Sequence, residues 1–313
     1  MSPRRATLGV ALLAALLLPG TARAGETVLA GIRPIQGVAA ALAAGTGLTV
    51  EPAAEPLPGM ARLARTLARP DPARDRRLAA AAAVVTVDSV WPEDPLYREA
   101  RARNIRVVRI DAARALDGPG LSVAVVARPS SSMPWRRDPP AAGPAPQVWF
   151  SLANCIRMAE IVAGDMRRLA PADAAAIEAN RAAFVQRLQA LKAEYEARFA
   201  ALPDPRVLAL TDRFVYLTNE FGLDVEGYLL EDDVRWTKAD LDGLAAFLKE
   251  RDLRVVLHHW EPAAPIRQAI AAGGARLVVL DDLEAAPPAA SAAGDLERVL
   301  RSNLDRLAAA LGN

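Results

Sequence analysis

Short apolar segments alternate with amphipathic helical segments in the first half of the chain. Helices are predicted over Pro34–Ala44 and Pro95–Asn104. One intervening segment, Ala80–Val87, has the apolar run that is typical of a parallel strand buried on both faces. Strands are predicted at Thr27–Ala30, Leu48–Glu51, Ala80–Val87, Ile105–Ile110 and Leu121–Ala127. This alternation predicts an α/β lobe with a parallel sheet.

The middle of the chain has a different pattern. The segment Arg128–Gln147 is rich in Pro, Ser and Arg and predicts a surface loop, and Phe150–Gly164 is predicted to be helical. Pro171 then opens a segment, Ala172–Ala200, that contains neither Gly nor Pro. Its apolar residues recur at helical spacing. A continuous helix of that length is roughly 40 Å long, enough to span two lobes.

The second half returns to alternating strands and helices. Strands are predicted at Arg206–Leu210, Val225–Leu229, Leu253–Leu257 and Leu277–Leu280. Helices are predicted at Arg213–Phe221, Thr237–Glu250, Ala264–Ala272 and Asp295–Leu311. The second of these opens with a capping-box pattern, Thr237-Lys238-Ala239-Asp240. The predicted fold is α/β, with two βα lobes (25–170 and 201–313) containing parallel sheets, joined by one long helical backbone at 171–200.

The first 24 residues are predicted to be a signal peptide. Arg4 and Arg5 precede an apolar run, Ala6–Leu18, that is too short to span a bilayer, and Ala22-Arg23-Ala24 matches a cleavage site. A retained N-terminal anchor helix is the alternative. Cleavage after Ala24 predicts an exported, periplasmic protein.

Composition excludes several functions. Lys and Arg total 38 against 37 for Asp and Glu, without a basic block, so nothing supports nucleic-acid binding. The single cysteine, Cys155, excludes an internal disulfide and a CxxC site. Catalytic motifs such as GxSxG, the P-loop and HExxH are absent, and the adjacent Asp281 and Asp282 would point to opposite faces of a strand. We therefore predict a non-enzyme without a resident cofactor.

Five sequence elements occur in an order and spacing that together are specific. They are Thr27–Gly45, Arg69-Pro70-Asp71-Pro72, Pro146-Gln147-Val148-Trp149 with Asn154, Leu210–Phe214 with Tyr216 and Phe221-Gly222-Leu223, and Val279-Leu280-Asp281. Over about Thr27 to Glu284 the chain resembles the periplasmic solute-binding proteins of zinc/manganese-type ABC transporters. The resemblance implies a monomer that delivers a small ligand or metal ion to an ABC permease in the inner membrane.

The ligand positions depart from that family, which typically binds its metal through three histidines and a carboxylate. When the family's motifs are aligned with this sequence, its three histidine positions correspond to Thr66, Gln147 and Thr211. Its carboxylate corresponds to Asp281. Two hydroxyls, an amide and one carboxylate suit zinc poorly, because zinc normally takes four Cys, His or carboxylate ligands. We expect these residues to contact, between the lobes, a small organic solute, a metal complex or a weakly bound metal ion.

Three alternatives remain open at this point. His258 and His259 end a predicted strand and could, with Asp281 and Asp212 or Glu261, form a displaced site for a divalent metal ion as cargo. Cys155 and Met158 share a helical face and could hold Cu(I), although core packing is the simpler interpretation. The alternative function is a non-transport periplasmic interaction protein with a vestigial cleft.

Overall fold

The computed structural model describes residues 25–117, 120–284 and 293–312, and the predicted signal peptide lies outside them. The strands are β1 Glu26–Ala30, β2 Leu48–Pro52, β3 Ala83–Thr86, β4 Val108–Asp111, β5 Ser132–Met133, β6 Arg136–Arg137, β7 Arg206–Ala209, β8 Asp224–Tyr228, β9 Val255–His258 and β10 Arg276–Val279. The α-helices are α1 Arg33–Ala43, α2 Met60–Ala68, α3 Pro72–Ala80, α4 Leu96–Arg103, α5 Leu152–Leu169, α6 Ala174–Ala200, α7 Val215–Glu220, α8 Lys238–Arg251, α9 Ala264–Ala272 and α10 Asp295–Leu311.

Two four-stranded parallel sheets form the centres of the two lobes. The first has the order β2-β1-β3-β4 and the second the order β10-β9-β7-β8. All four residues of β3 and of β9 are buried, as the apolar runs predicted. The predicted α/β class with two parallel-sheet lobes is confirmed.

One predicted strand of the first lobe is wrong. Residues 121–127 form no strand and make only isolated bridges, at Ser122 and Ala127. The backbone of Ala124 instead bonds in both directions to the side-chain amide of Asn154, at 2.9 and 3.0 Å, and the amide of Val126 donates to the hydroxyl of Tyr216 at 3.2 Å. These side chains take the bonds that a neighbouring strand would have supplied.

The segment predicted as a surface loop, 128–147, contains the β5–β6 hairpin. Met133 is fully buried in the second-lobe core, and the ring of Trp135 lies so close to Gly243 of α8 that an added Cβ there would overlap it. The guanidinium of Arg136 pairs with Glu231 and, at 3.1 Å, with Asp240. The chain therefore crosses to the second lobe before returning to the first.

Helices α6 and α10 connect the two lobes. The predicted long helix is present as α6, whose buried stripe contains Ile177, Phe184, Leu188, Leu191, Tyr195 and Phe199. Helix α10 packs against α1, α6 and β10, and so contacts elements of both lobes. The predicted capping box opens α8, where the Thr237 hydroxyl and the Asp240 carboxylate bond reciprocally to backbone amides. No helix in the described ranges is long and apolar enough to cross a bilayer.

Leu188→Ala tests the contribution of the buried stripe of α6. Leu188 is fully buried, so we expect the free energy of unfolding to fall by about 2–5 kcal/mol, measured by urea denaturation. The neighbouring Gln189 is exposed, and Gln189→Ala should change the same quantity by less than about 0.5 kcal/mol. Equal effects of the two substitutions would contradict the packing described for α6.

Candidate functional site

A tight turn after β10 sets the geometry of the site. The side-chain amide of Asn303, fully buried on α10, donates to the Asp281 carbonyl at 2.8 Å and accepts from the Asp281 amide at 2.9 Å. The carboxylates of Asp281 and Asp282 accept from the amides of Leu283 and Glu284 at 2.8 and 3.0 Å. Leu283 has a φ of 59°, a left-handed conformation uncommon for a leucine. From this turn Asp281 and Glu284 reach the first lobe, whereas Asp282 reaches Arg213 of the second lobe.

Asp281 pairs with an arginine of the first lobe. Arg33 Nη1 lies 3.5 Å from the Asp281 carboxylate, and Arg33 Nε donates to Asp295 Oδ2 at 2.5 Å. Arg33 and Asp295 are both buried, and their hydrogen bonding and charge hold the pKa of Asp295 below its ordinary value despite the opposing effect of burial. The carboxylate predicted as a ligand, Asp281, thus has a cationic partner in the first lobe.

Glu284 connects the second lobe to the N-terminus of α2. Its Oε2 accepts from the Met60 amide at 2.6 Å, and a Cβ on Gly59, the residue before the helix, would overlap the same oxygen. Its Oε1 lies 2.9 Å from Arg213 Nη1, which is also 3.3 Å from Asp282 Oδ2. Burial raises the pKa of both Asp282 and Glu284, and the Arg213 charge opposes that rise.

A pocket of about 380 Å³ opens between the lobes beside Glu284, and we call it the inter-lobe pocket. Its lining residues are Met60, Ala61, Ala64, Trp91, Glu93, Arg128, Pro146, Gln147, Arg213 and Glu284. Gln147 is 8% exposed and its Oε1 has no hydrogen-bond partner among the described residues. Arg128 also lines the pocket, and its Nε lies 4.0 Å from Asp212 Oδ2.

The four predicted ligand residues do not converge on this pocket. Gln147 lines it, whereas Thr66 lies farther along α2 and is not a lining residue. Thr211 is buried, and its hydroxyl accepts from the Arg213 amide at 3.3 Å. Asp281 pairs with Arg33. The ligand roles of these residues stay predictions. Sequence reasoning missed Met60, Arg213 and Glu284, although Arg213 directly follows the Thr211-Asp212 element and Glu284 closes the acidic run after β10.

The two histidines form a compact aromatic cluster with Trp260, whose ring centroid lies 4.5 Å from that of His258 and 3.9 Å from that of His259. The His259 amide donates to His258 Nδ1 at 2.9 Å. Burial lowers the pKa of His258 to about 4 and that of His259 to about 2, and the positive charge of Arg213 contributes to both shifts. Both rings are therefore neutral at physiological pH.

The described residues do not present a metal site. Within them, no three His, Cys, Asp or Glu side chains are grouped so that they could hold a metal ion. The pair considered for Cu(I) on α5 lies in the core: Cys155 and Met158 are both fully buried, and the Cys155 thiol donates to the Trp149 carbonyl at 3.1 Å. Burial also raises the pKa of that thiol, which disfavours the thiolate that binds copper.

Gly59→Ala tests the contact between Glu284 and the start of α2. The added Cβ would overlap the Glu284 carboxylate, so we expect a loss of about 1–3 kcal/mol in the free energy of unfolding, and a smaller loss in the Glu284→Ala background. Gly164→Ala is the matched control, because a Cβ there meets nothing within 4 Å and alanine favours the helix. Equal losses in both backgrounds would contradict the contact.

The imidazole resonances of His258 and His259 test the electrostatics of the cluster. NMR titration should place both midpoints well below 6.5, and both should rise in Arg213→Gln because a nearby positive charge is removed. Since the folded pKa values lie below the unfolded ones, the free energy of unfolding is not reduced by the pair above about pH 6.5, and it declines as pH falls toward 4 for His258 and toward 2 for His259. A midpoint near 6.5 in the folded protein would contradict the burial described.

Comparison with known proteins places this architecture in a family. A family model described as ZnuA, zinc-uptake complex component A periplasmic, matches residues 58–310. A search of curated protein sequences returned no match.

Solved structures share the fold. A mutant of FpvC from Pseudomonas aeruginosa superposes with a TM-score of 0.72 at 20% identity, covering 91% of this chain and 98% of that one. The Zn(II)-bound ZnuA-like domain of AdcA from Streptococcus pneumoniae gives 0.69 at 17% identity, covering 92% and 100%. The laminin-binding adhesin Lmb from Streptococcus agalactiae, as a mutant, gives 0.67 at 18% identity, covering 92% and 100%. The predicted family is confirmed, and this chain belongs to the ZnuA family of periplasmic, non-enzymatic metal-binding components of ABC transporters.

Proposed function

We propose that this chain, exported by a signal peptide at residues 1–24, is the periplasmic solute-binding component of an ABC importer. Its cargo is a small organic solute or a metal complex, bound in the inter-lobe pocket and delivered to a permease in the inner membrane. A bare zinc ion is not the cargo. The protein performs no chemistry on the ligand.

The composition of the inter-lobe pocket carries this proposal. A zinc site takes imidazole, thiolate and carboxylate ligands, normally four of them. The pocket wall presents an amide, two guanidinium groups and two carboxylates, and one of those carboxylates, Glu284, is already held by Arg213 and the Met60 amide. The buried Gln147 carbonyl oxygen lacks a partner in the described structure and gains one when a ligand donates to it. This set supports recognition by hydrogen bonds.

The relatives point to cargo that contains a metal. FpvC has been solved with Ni²⁺ and with Mn²⁺, and the AdcA domain with Zn(II). The relatives bind metal ions, whereas the lining of this pocket contains no histidine. A metal complex whose organic part supplies the metal ligands is consistent with both observations. Arg128 and Gln147 would then contact the organic part of the complex, and the apolar side of the pocket at Met60 and Trp91 would cover it.

The alternative is a non-transport interaction protein with a vestigial cleft. Two contacts favour it: the bond from the Met60 amide to Glu284 and the Arg33–Asp281 pair join the two lobes through side chains of the protein itself. Under this alternative the inter-lobe pocket has no cargo. Measurement of what the purified protein retains separates the two functions.

Gln147→Ala tests the transport function. The untagged mature protein, purified from periplasm, is examined by native mass spectrometry and by elemental analysis. We expect one small molecule or metal complex per chain, and a retention about tenfold or more lower in Gln147→Ala, because a buried hydrogen bond to the ligand is lost.

Gln268→Ala provides the control, since Gln268 is exposed on α9 and lies outside the pocket. It should retain the ligand as the unmodified protein does. Stoichiometric zinc that survives dialysis without an organic partner would contradict the proposed cargo. A chain that retains nothing would favour the vestigial-cleft alternative.

A further inference from the structure

Two carboxylates beside the inter-lobe pocket pair with one arginine. Arg213 Nη1 lies 2.9 Å from the Glu284 carboxylate and 3.3 Å from that of Asp282. The same guanidinium is close enough to both imidazoles to lower the pKa of His258 and of His259. The charge of this one arginine therefore neutralises two carboxylates and also acts on the two imidazoles.

The position of Arg213 is determined by the fold. It follows β7, and its amide donates to the hydroxyl of Thr211, the residue aligned with the third family histidine. Its side chain is 23% exposed and lines the inter-lobe pocket. The guanidinium therefore lies at the boundary between the pocket and the turn that carries Asp282 and Glu284.

We propose that Arg213 is the specificity-determining residue of the inter-lobe pocket, an internal cation that takes the place of a divalent metal ion and excludes it. This inference rests on the proposed function of the pocket. A guanidinium remains charged at physiological pH and presents several donors, so it can pair with two carboxylates at once. A lysine ammonium is a single point charge and reaches such a pair less well.

Charge balance explains the exclusion. The Glu284 carboxylate receives the guanidinium on one oxygen and the N-terminus of α2, with its partial positive charge, on the other. Asp282 receives the same guanidinium. A divalent ion that reached these carboxylates would lie within a few ångströms of Arg213, where like charges repel strongly in a partly buried site. Loss of the arginine removes both the neutralising charge and the repulsion.

The test compares Mn²⁺ binding by the unmodified mature protein, Arg213→Gln and Arg213→Lys, using isothermal titration with MnCl₂ at pH 7.5. We expect Arg213→Gln to bind Mn²⁺ at least about tenfold more tightly than the unmodified protein. Arg213→Lys retains the charge and should remain within about threefold of it. The control Arg254→Gln removes an exposed arginine of the same lobe, paired with Asp252 at 3.3 Å, and should also show no gain.

Thermal denaturation provides a second measurement in case Arg213→Gln destabilises the protein. MnCl₂ should raise the Tm of Arg213→Gln more than NaCl at equal ionic strength, because the metal ion replaces the missing cation. An affinity and a Tm response equal to those of the unmodified protein would overturn the inference, as would an Arg213→Gln chain that stays unfolded with Mn²⁺ present. Failure of the proposed function is seen separately, as an unmodified protein that retains no ligand in native mass spectrometry.

Discussion

The turn at residues 281–284 is the constraint on which the rest of the site depends. Asn303 holds the backbone of Asp281 through two hydrogen bonds, and Leu283 takes a left-handed conformation so that the chain reverses. From this one turn, Asp281 pairs with α1, Asp282 pairs with Arg213, and Glu284 reaches the start of α2. A shift of the turn would break contacts in both lobes simultaneously, which makes the turn and the lobe–lobe contact one structural unit.

Two arginines supply the positive charge that balances the carboxylates at this lobe interface. Arg33 and Arg213 come from different lobes, and each neutralises two carboxylates on or beside the 281–284 turn. A buried carboxylate without a partner is costly, and a bound metal ion is one way to offset that cost. Here the guanidinium groups of the chain's own arginines offset that cost. Charge compensation and ligand choice are therefore linked through the same residues.

Sequence patterns predicted more of the fold than of the candidate site. Apolar runs predicted β3 and β9, and the Gly- and Pro-free segment predicted α6, because these patterns reflect burial directly. The alignment through Pro70 and Pro72 selected Thr66, but helix geometry decides which residues of α2 face the pocket. Met60 and Ala64 are one turn apart and line it, whereas Thr66 is two residues farther on and points about 200° away. Long-range pairs such as that of Glu284 with Met60 leave no local pattern.

The ties between the lobes determine what binding can change. Helices α6 and α10 and the crossing segment 128–147 join the lobes covalently or by packing, and Glu284 adds a charged contact at the edge of the pocket. Wide opening would break the contacts between the lobes, the bond from the Met60 amide to Glu284 and the Arg33–Asp281 pair, so a small adjustment of the pocket wall is the less costly response. A ligand that fits beside Arg213 leaves those contacts intact. In the exclusion proposed for Arg213, a bare metal ion would first have to displace the guanidinium from Asp282 and Glu284.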